Sequence, residues 1–234
     1  MQNRYACDVG DFGKLGMLRL LEKEGLTVGV NWYLVEDESH NNDGKHIGYM
    51  KDKKFFECDD ELLYALKEII DQGDRSVYAL EEKQLLKTDT FFSEILCKTE
   101  RQLWHKRAVD KVKDCDIVFL DPDNGLLPPS VGRGSDKSIK YVLPEEIIDY
   151  YKSGHSVVFY NHRTREQLNT YLERFTKVFN ADELAGSIIK GISYKRGTVR
   201  DYFFILKEEH VEQVEWVFNQ LSNEKWGKHF QEIM

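Results

Sequence analysis

No cysteine in this chain has a partner at metal-ribbon spacing. The four that occur, Cys7, Cys58, Cys97 and Cys115, are scattered, with no CxxC pair. That spacing argues against a zinc ribbon or a disulfide framework and fits a reducing cytoplasm. Long apolar runs are missing too. Stretches such as "HSVVFY" and "DYFFIL" fall far short of the ~20 residues needed to cross a bilayer. The opening "MQNRYACDVGDFGK" lacks the basic-then-apolar order of an export signal, so a cytoplasmic location without a membrane partner is expected. Positive charge is not in excess either. A net charge of −8 works against tight non-specific binding to nucleic acid. Linkers, repeats and low-complexity segments are also absent, so a single domain over residues 1–234 is expected.

What is present is an alternation of helical and strand patterns. Hydrophobic residues at 41% and aromatics at 12% suffice for a sizeable core. "DFGKLGMLRLLEKEG" (11–25) carries Leu15, Leu18 and Leu21 at helical spacing, and "LTVGVNWYLV" (26–35) reads as a buried strand. Helices are expected over 59–73, over 99–115 with Thr99 as cap, over 143–154 with Pro144 in the first turn, over 164–179 and over 209–223. Strands are expected at "DIVFLD" (116–121) and "HSVVFYNH" (155–162). Between 76 and 97 the pattern suggests a short strand at "SVYALE" followed by a helix from "DTFFSEILC". Two strand patterns around "YKRGTVR" form a hairpin signal. Strands separated by helices imply a parallel sheet. The expected fold is a three-layer α/β sandwich, mostly parallel, with a C-terminal antiparallel hairpin.

In such sheets ligands bind beyond the carboxyl ends of the strands, so the residues just after strands are the informative ones. "EDESHNNDGKH" (36–46) crowds Asp37, His40, Asn41, Asn42, Asp43 and His46 into one loop. A solvated turn explains the "NDG", but the mix of imidazole and carboxylate also suits a divalent metal. "DPDNG" places Asp121, Asp123 and Asn124 where a carboxylate would accept from a hydroxyl, an amine or a metal-bound water. At the third strand end, His162 is either a general base or part of a cap through Thr164, and Arg163 and Arg165 suit an anion. Before the first helix, Asp8, Asp11 and Lys14 flank two glycines without P-loop spacing, and an Asp N-cap with structural glycines accounts for them. The hairpin tip concentrates Lys195, Arg196 and Arg200, where Tyr194 would stack on a base.

On these residues the chain resembles the S-adenosylmethionine-dependent methyltransferase fold. "FLDPDNGL" is similar to the DPPY-type motif of amino-methyltransferases that act on nucleic-acid bases, and "GDFGKLGMLRLL" to the helix that precedes the first strand in some of them. The whole chain also resembles a set of bacterial and phage proteins that begin "NRY…GDFGK". The resemblance implies a methyltransferase-like protein acting on, or binding, a nucleobase or nucleotide. Asp121 would lie by the target amine, with Asp123, Asn124 and His162 completing the catalytic set. S-adenosylmethionine would be held by Asp11, Lys14, Asp37, His40, Asn42 and Asp43, in a cavity beside "VNWYLV". His46, Arg163 and Arg165 would contact the substrate. Two departures stand out: Asp123 and Asn124 replace the second proline and the aromatic, and the glycine-rich loop is replaced by a segment whose one glycine is Gly44. The alternative is a metal-dependent phosphodiesterase or nuclease, in which His40, Asp43, His46, Asp121, Asp123 and His162 converge on one or two cations. A non-catalytic module using the same cleft is the third reading.

Overall fold

The computed structural model describes residues 1–38, 46–223 and 225–234. In chain order its elements are α1 (Val9–Lys23), β1 (Val28–Asn31), α2 (Lys53–Phe56), α3 (Asp60–Gln72), α4 (Val77–Glu82), β2 (Phe91–Phe92), α5 (Arg101–Lys111) and β3 (Ile117–Leu120). There follow β4 (Gly125–Leu126), β5 (Tyr141–Val142), α6 (Pro144–Lys152), β6 (Ser156–His162), α7 (Leu168–Glu173) and α8 (Thr176–Phe179). A hairpin of β7 (Ile188–Arg196) and β8 (Thr198–Leu206), then α9 (Val211–Ser222) and β9 (Phe230–Glu232), complete the series.

The main sheet has the order β2-β1-β3-β6-β8-β7-β9. Strands β2, β1, β3 and β6 run parallel, and β8 lies antiparallel between β6 and β7. The second strand of the hairpin, not the first, therefore meets the parallel half, with Tyr160 opposite Tyr202 and His162 opposite Arg200.

Both faces of the sheet are covered, which is why the inner strands read as continuous apolar runs. Along β3, Ile117 and Phe119 join the core under α1, α3, α4 and α9, while Val118 and Leu120 join the core under α5, α6 and α7. This three-layer α/β sandwich agrees with the fold expected from the alternation. Among the described residues, no helix is long and apolar enough to cross a membrane.

Several local expectations are corrected. Residues 77–82 are helical, because Ser76 Oγ accepts the Ala79 amide (3.0 Å) and Val77 and Leu80 share one buried face. Conversely, the "FF" of "DTFFSEILC" is the edge strand beside β1. Thr99 does not cap α5: it lies in a 3-10 turn with its hydroxyl 3.2 Å from Cys97 Sγ, and the helix begins at Arg101. The helix expected over 164–179 is two short ones, α7 and α8, and Thr164 lies outside both. β1 stops at Asn31, whose Oδ1 accepts the Tyr33 amide (3.0 Å) while Tyr33 takes a left-handed φ of 44°. Strand β9 had no expectation attached to it.

Helix α1 is pressed against the C-terminal half through a row of glycines. A Cβ on Gly13 would lie 2.6 Å from the Tyr194 ring, and one on Gly16 would lie 2.4 Å from Trp226. Gly13→Ala therefore pits a helix-propensity gain of ~1 kcal/mol against overpacking of a fully buried ring. Packing should win, with a net loss of ~1–2 kcal/mol in urea unfolding. An unchanged or higher midpoint would mean that Tyr194 can move aside.

Candidate functional site

The N-terminus of α1 points at the rim where β3 and β6 end. Asp8 caps the helix: its Oδ1 accepts the amides of Gly10 (2.6 Å) and Asp11 (3.0 Å). Its Oδ2 pairs with Arg200 Nη2 at 3.0 Å. One turn on, Lys14 Nζ lies 2.7 Å from Asp11 Oδ1 and 2.6 Å from Asp121 Oδ2, and all three side chains are buried. Burial alone would pull the Lys14 pKa down, but the carboxylates of Asp11 and Asp121 outweigh it and hold the ammonium above its ordinary value. Burial pushes the Asp11 carboxyl up to about 6, against the opposing pull of Lys14.

The "DPDNG" turn is held by the end of β6. His162 donates its amide to the Asn124 carbonyl (3.2 Å), and Asn161 Oδ1 accepts the Leu126 amide (2.8 Å). Gly125 takes a φ of 106°, and a Cβ there would fall 2.0 Å from Asn161 Oδ1, so only glycine fits. Asp123 Oδ2 accepts from Gln2 Nε2 (2.7 Å) and lies 3.6 Å from Lys140 Nζ.

These pieces enclose a cavity of about 310 Å³, at the small end of the ~300–1,000 Å³ usual for small-molecule sites. Of the residues singled out from sequence, Asp11, Lys14, His46, Asp121, Asp123, Asn124 and His162 line it. Asp37 does not: its carboxylate accepts the Arg4 amide (3.2 Å) and so ties down the N-terminal turn. Arg163 is turned to the buried Asp201 (2.7 Å) and Ser193 (2.7 Å), so it holds β7 and β8 to β6 instead of facing a ligand. Arg165 is exposed and away from the cavity. His40, Asn42 and Asp43 lie outside the described residues.

Asp8, Tyr160, Arg200 and Tyr202 are among the lining residues that did not enter the sequence-based site. Asp8 and Arg200 had been read as a cap and a hairpin-tip cation. Arg200 in fact folds inward over Gly10, and Tyr194 is fully buried and cannot stack on a base. The two-residue alternation of β6 and β8 was the available signal, since it puts Tyr160 and Tyr202 opposite each other. His162 stands at the cavity mouth with Nδ1 3.3 Å from the Tyr160 hydroxyl. Partial burial, then the Arg200 guanidinium, hold its pKa below the ordinary imidazole value, so it is neutral at pH 7.

The resemblance to methyltransferases would set a cofactor at the corner beyond β1. Trp32 and Tyr33 are fully buried there, Leu34 and Val35 nearly so, and the Met1 nitrogen donates to the carbonyls of Tyr33 (3.1 Å) and Asp121 (2.9 Å). These side chains are packed into the protein, and His40, Asn42 and Asp43, expected at the cofactor, lie outside the described residues. Among the described residues, no group of three His, Cys, Asp or Glu side chains converges as a metal would require.

Two outcomes are expected. Lys14→Met leaves two buried carboxylates facing each other and should cost ~3–5 kcal/mol, part of it recovered in the Lys14→Met/Asp121→Leu double variant. Equal losses in both variants would show that the ion pair is not the cause. Because the folded Asp11 pKa lies above its unfolded value, folding binds protons between pH 4 and 6. The Asp11-dependent part of stability should therefore grow as pH falls from 7 towards 5 and be absent in Asp11→Asn. Carboxyl NMR should place the Asp11 midpoint near 6, and a midpoint near 4 would remove the effect. Compared with family models and with curated proteins, the chain matches none.

Proposed function

We propose that this chain is a methyltransferase-like protein that binds the base of a nucleobase-bearing molecule in the cavity at the ends of β3 and β6. The observation that carries the reading is the convergence of Asp121, Asp123 and Asn124 on one small cavity with three tyrosine walls, Tyr5, Tyr160 and Tyr202. Carboxylates accept from exocyclic amines, a primary amide both donates and accepts, and aromatic walls match a flat base. The Asn124 side chain and Asp121 Oδ1 take no partner among the described residues, so both are available to a ligand. Binding, not methyl transfer, is the activity proposed, because the corner beyond β1 carries the fully buried rings of Trp32 and Tyr33.

Calorimetry with adenosine, cytidine and guanosine tests this. At least one should bind, and Asn124→Ala and Asp123→Asn should each weaken it by ~tenfold, equivalent to ~1.4 kcal/mol. Absence of heat for all three would overturn the reading. Saturable binding of S-adenosylmethionine at submillimolar concentration would replace it with a methyltransferase.

A further inference from the structure

The charges around the cavity narrow the ligand further. Four carboxylates line it, those of Asp8, Asp11, Asp121 and Asp123, against the side-chain cations of Lys14 and Arg200 and the Met1 amino group, whose pKa burial lowers and which donates to the Tyr33 and Asp121 carbonyls. Both side-chain cations are already matched. Lys14 is shared between Asp11 and Asp121, and its remaining side faces the Trp32 ring at 5.0 Å. Arg200 pairs with Asp8 and gives Nη1 to the Arg196 carbonyl at 2.8 Å. His162 adds no positive charge at neutral pH, and Lys140 is divided between Asp123 and Glu38.

A helix N-terminus is the usual alternative source of anion binding, and here it is used up. All four leading amides of α1 have acceptors within the protein. Val9 donates to the His46 carbonyl (3.0 Å), Gly10 and Asp11 to Asp8 Oδ1, and Phe12 to the Asp8 carbonyl (3.3 Å). Among the groups left open in the cavity, Asp121 Oδ1 accepts and the Asn124 amide is neutral. Tyr202 lines it, is 1% exposed, and its hydroxyl has no partner among the described residues.

We infer that the cavity selects neutral or cationic amine-bearing ligands, a nucleoside or free base, and rejects phosphate-bearing ones. The inference rests on the base-binding reading for the ligand's identity but not for its charge. A phosphate brought among these carboxylates, whose cations are already shared, meets repulsion on the order of 1–4 kcal/mol per close pair, depending on how much water remains.

The test follows the His162 imidazole resonances of the full chain by NMR during titration with four probes: cytidine, cytidine 5′-monophosphate, inorganic phosphate and methylguanidinium. The expected result is a saturable shift with cytidine, at least ~tenfold weaker binding of the monophosphate, and no shift with millimolar phosphate. In Asp123→Asn the gap between nucleoside and nucleotide should narrow. Equal or tighter binding of the monophosphate, or a saturable shift with phosphate, overturns the inference while leaving the base-binding reading in place. A response to methylguanidinium alone supports the charge selection and removes the nucleobase. Silence from all four probes, and from adenosine and guanosine, overturns both.

Discussion

A lysine ammonium shared by two buried carboxylates holds this site together. Lys14 belongs to the first helix and Asp121 to the end of a central strand, 107 positions later. Burying the ammonium or the carboxylates alone would be costly, and each offsets the burial of the other. The contact therefore fixes the angle at which α1 meets the rim of the sheet. Everything else around the cavity is placed relative to that angle: the Asp8 cap, the "DPDNG" turn and the tyrosine wall.

The second constraint is topological. Because β8 enters the sheet between β6 and β7, its Arg200 and Tyr202 line the cavity, with Arg200 packed over Gly10 of α1. Arg200 is thereby brought to Asp8, and the cavity gains a wall that parallel strands alone would not supply. Inserting the later strand of the hairpin also buries Asp201, which is answered by Arg163 and Ser193. One pairing choice thus determines which arginine serves the site and which serves the scaffold.

Layer order and most strands were legible in the sequence because apolar periodicity encodes burial. The all-apolar "IVFL" of β3 could only be a strand covered on both sides, and α3 declared itself through acidic residues at its start and Gly73 at its end. "SVYALE" misled because Val and Tyr favour strands by composition, whereas a single serine cap decided for helix at 77, and at "DTFFSEILC" the strand preference of Phe91 and Phe92 prevailed over the helical pattern. At the site, strand-end position picked out Asp121, Asn124 and His162. It also picked out Arg163, which local sequence cannot distinguish from a ligand-facing residue, since its partner Asp201 lies 38 positions away. Asp8 and Arg200 escaped for the same reason. Each had a sufficient local explanation, and the pairing that gives them a second role spans 192 positions.

That last separation has a consequence for how the molecule is made. During synthesis the helix carrying Asp8 and Lys14 emerges early, while the strand carrying Arg200 follows after most of the sheet's parallel half has been translated. Domains tend to fold as units once enough chain is available. The pocket wall therefore closes late, and a ribosome-bound intermediate halted before the hairpin would expose the Asp8 carboxylate and the glycine face of α1 to solvent and chaperones.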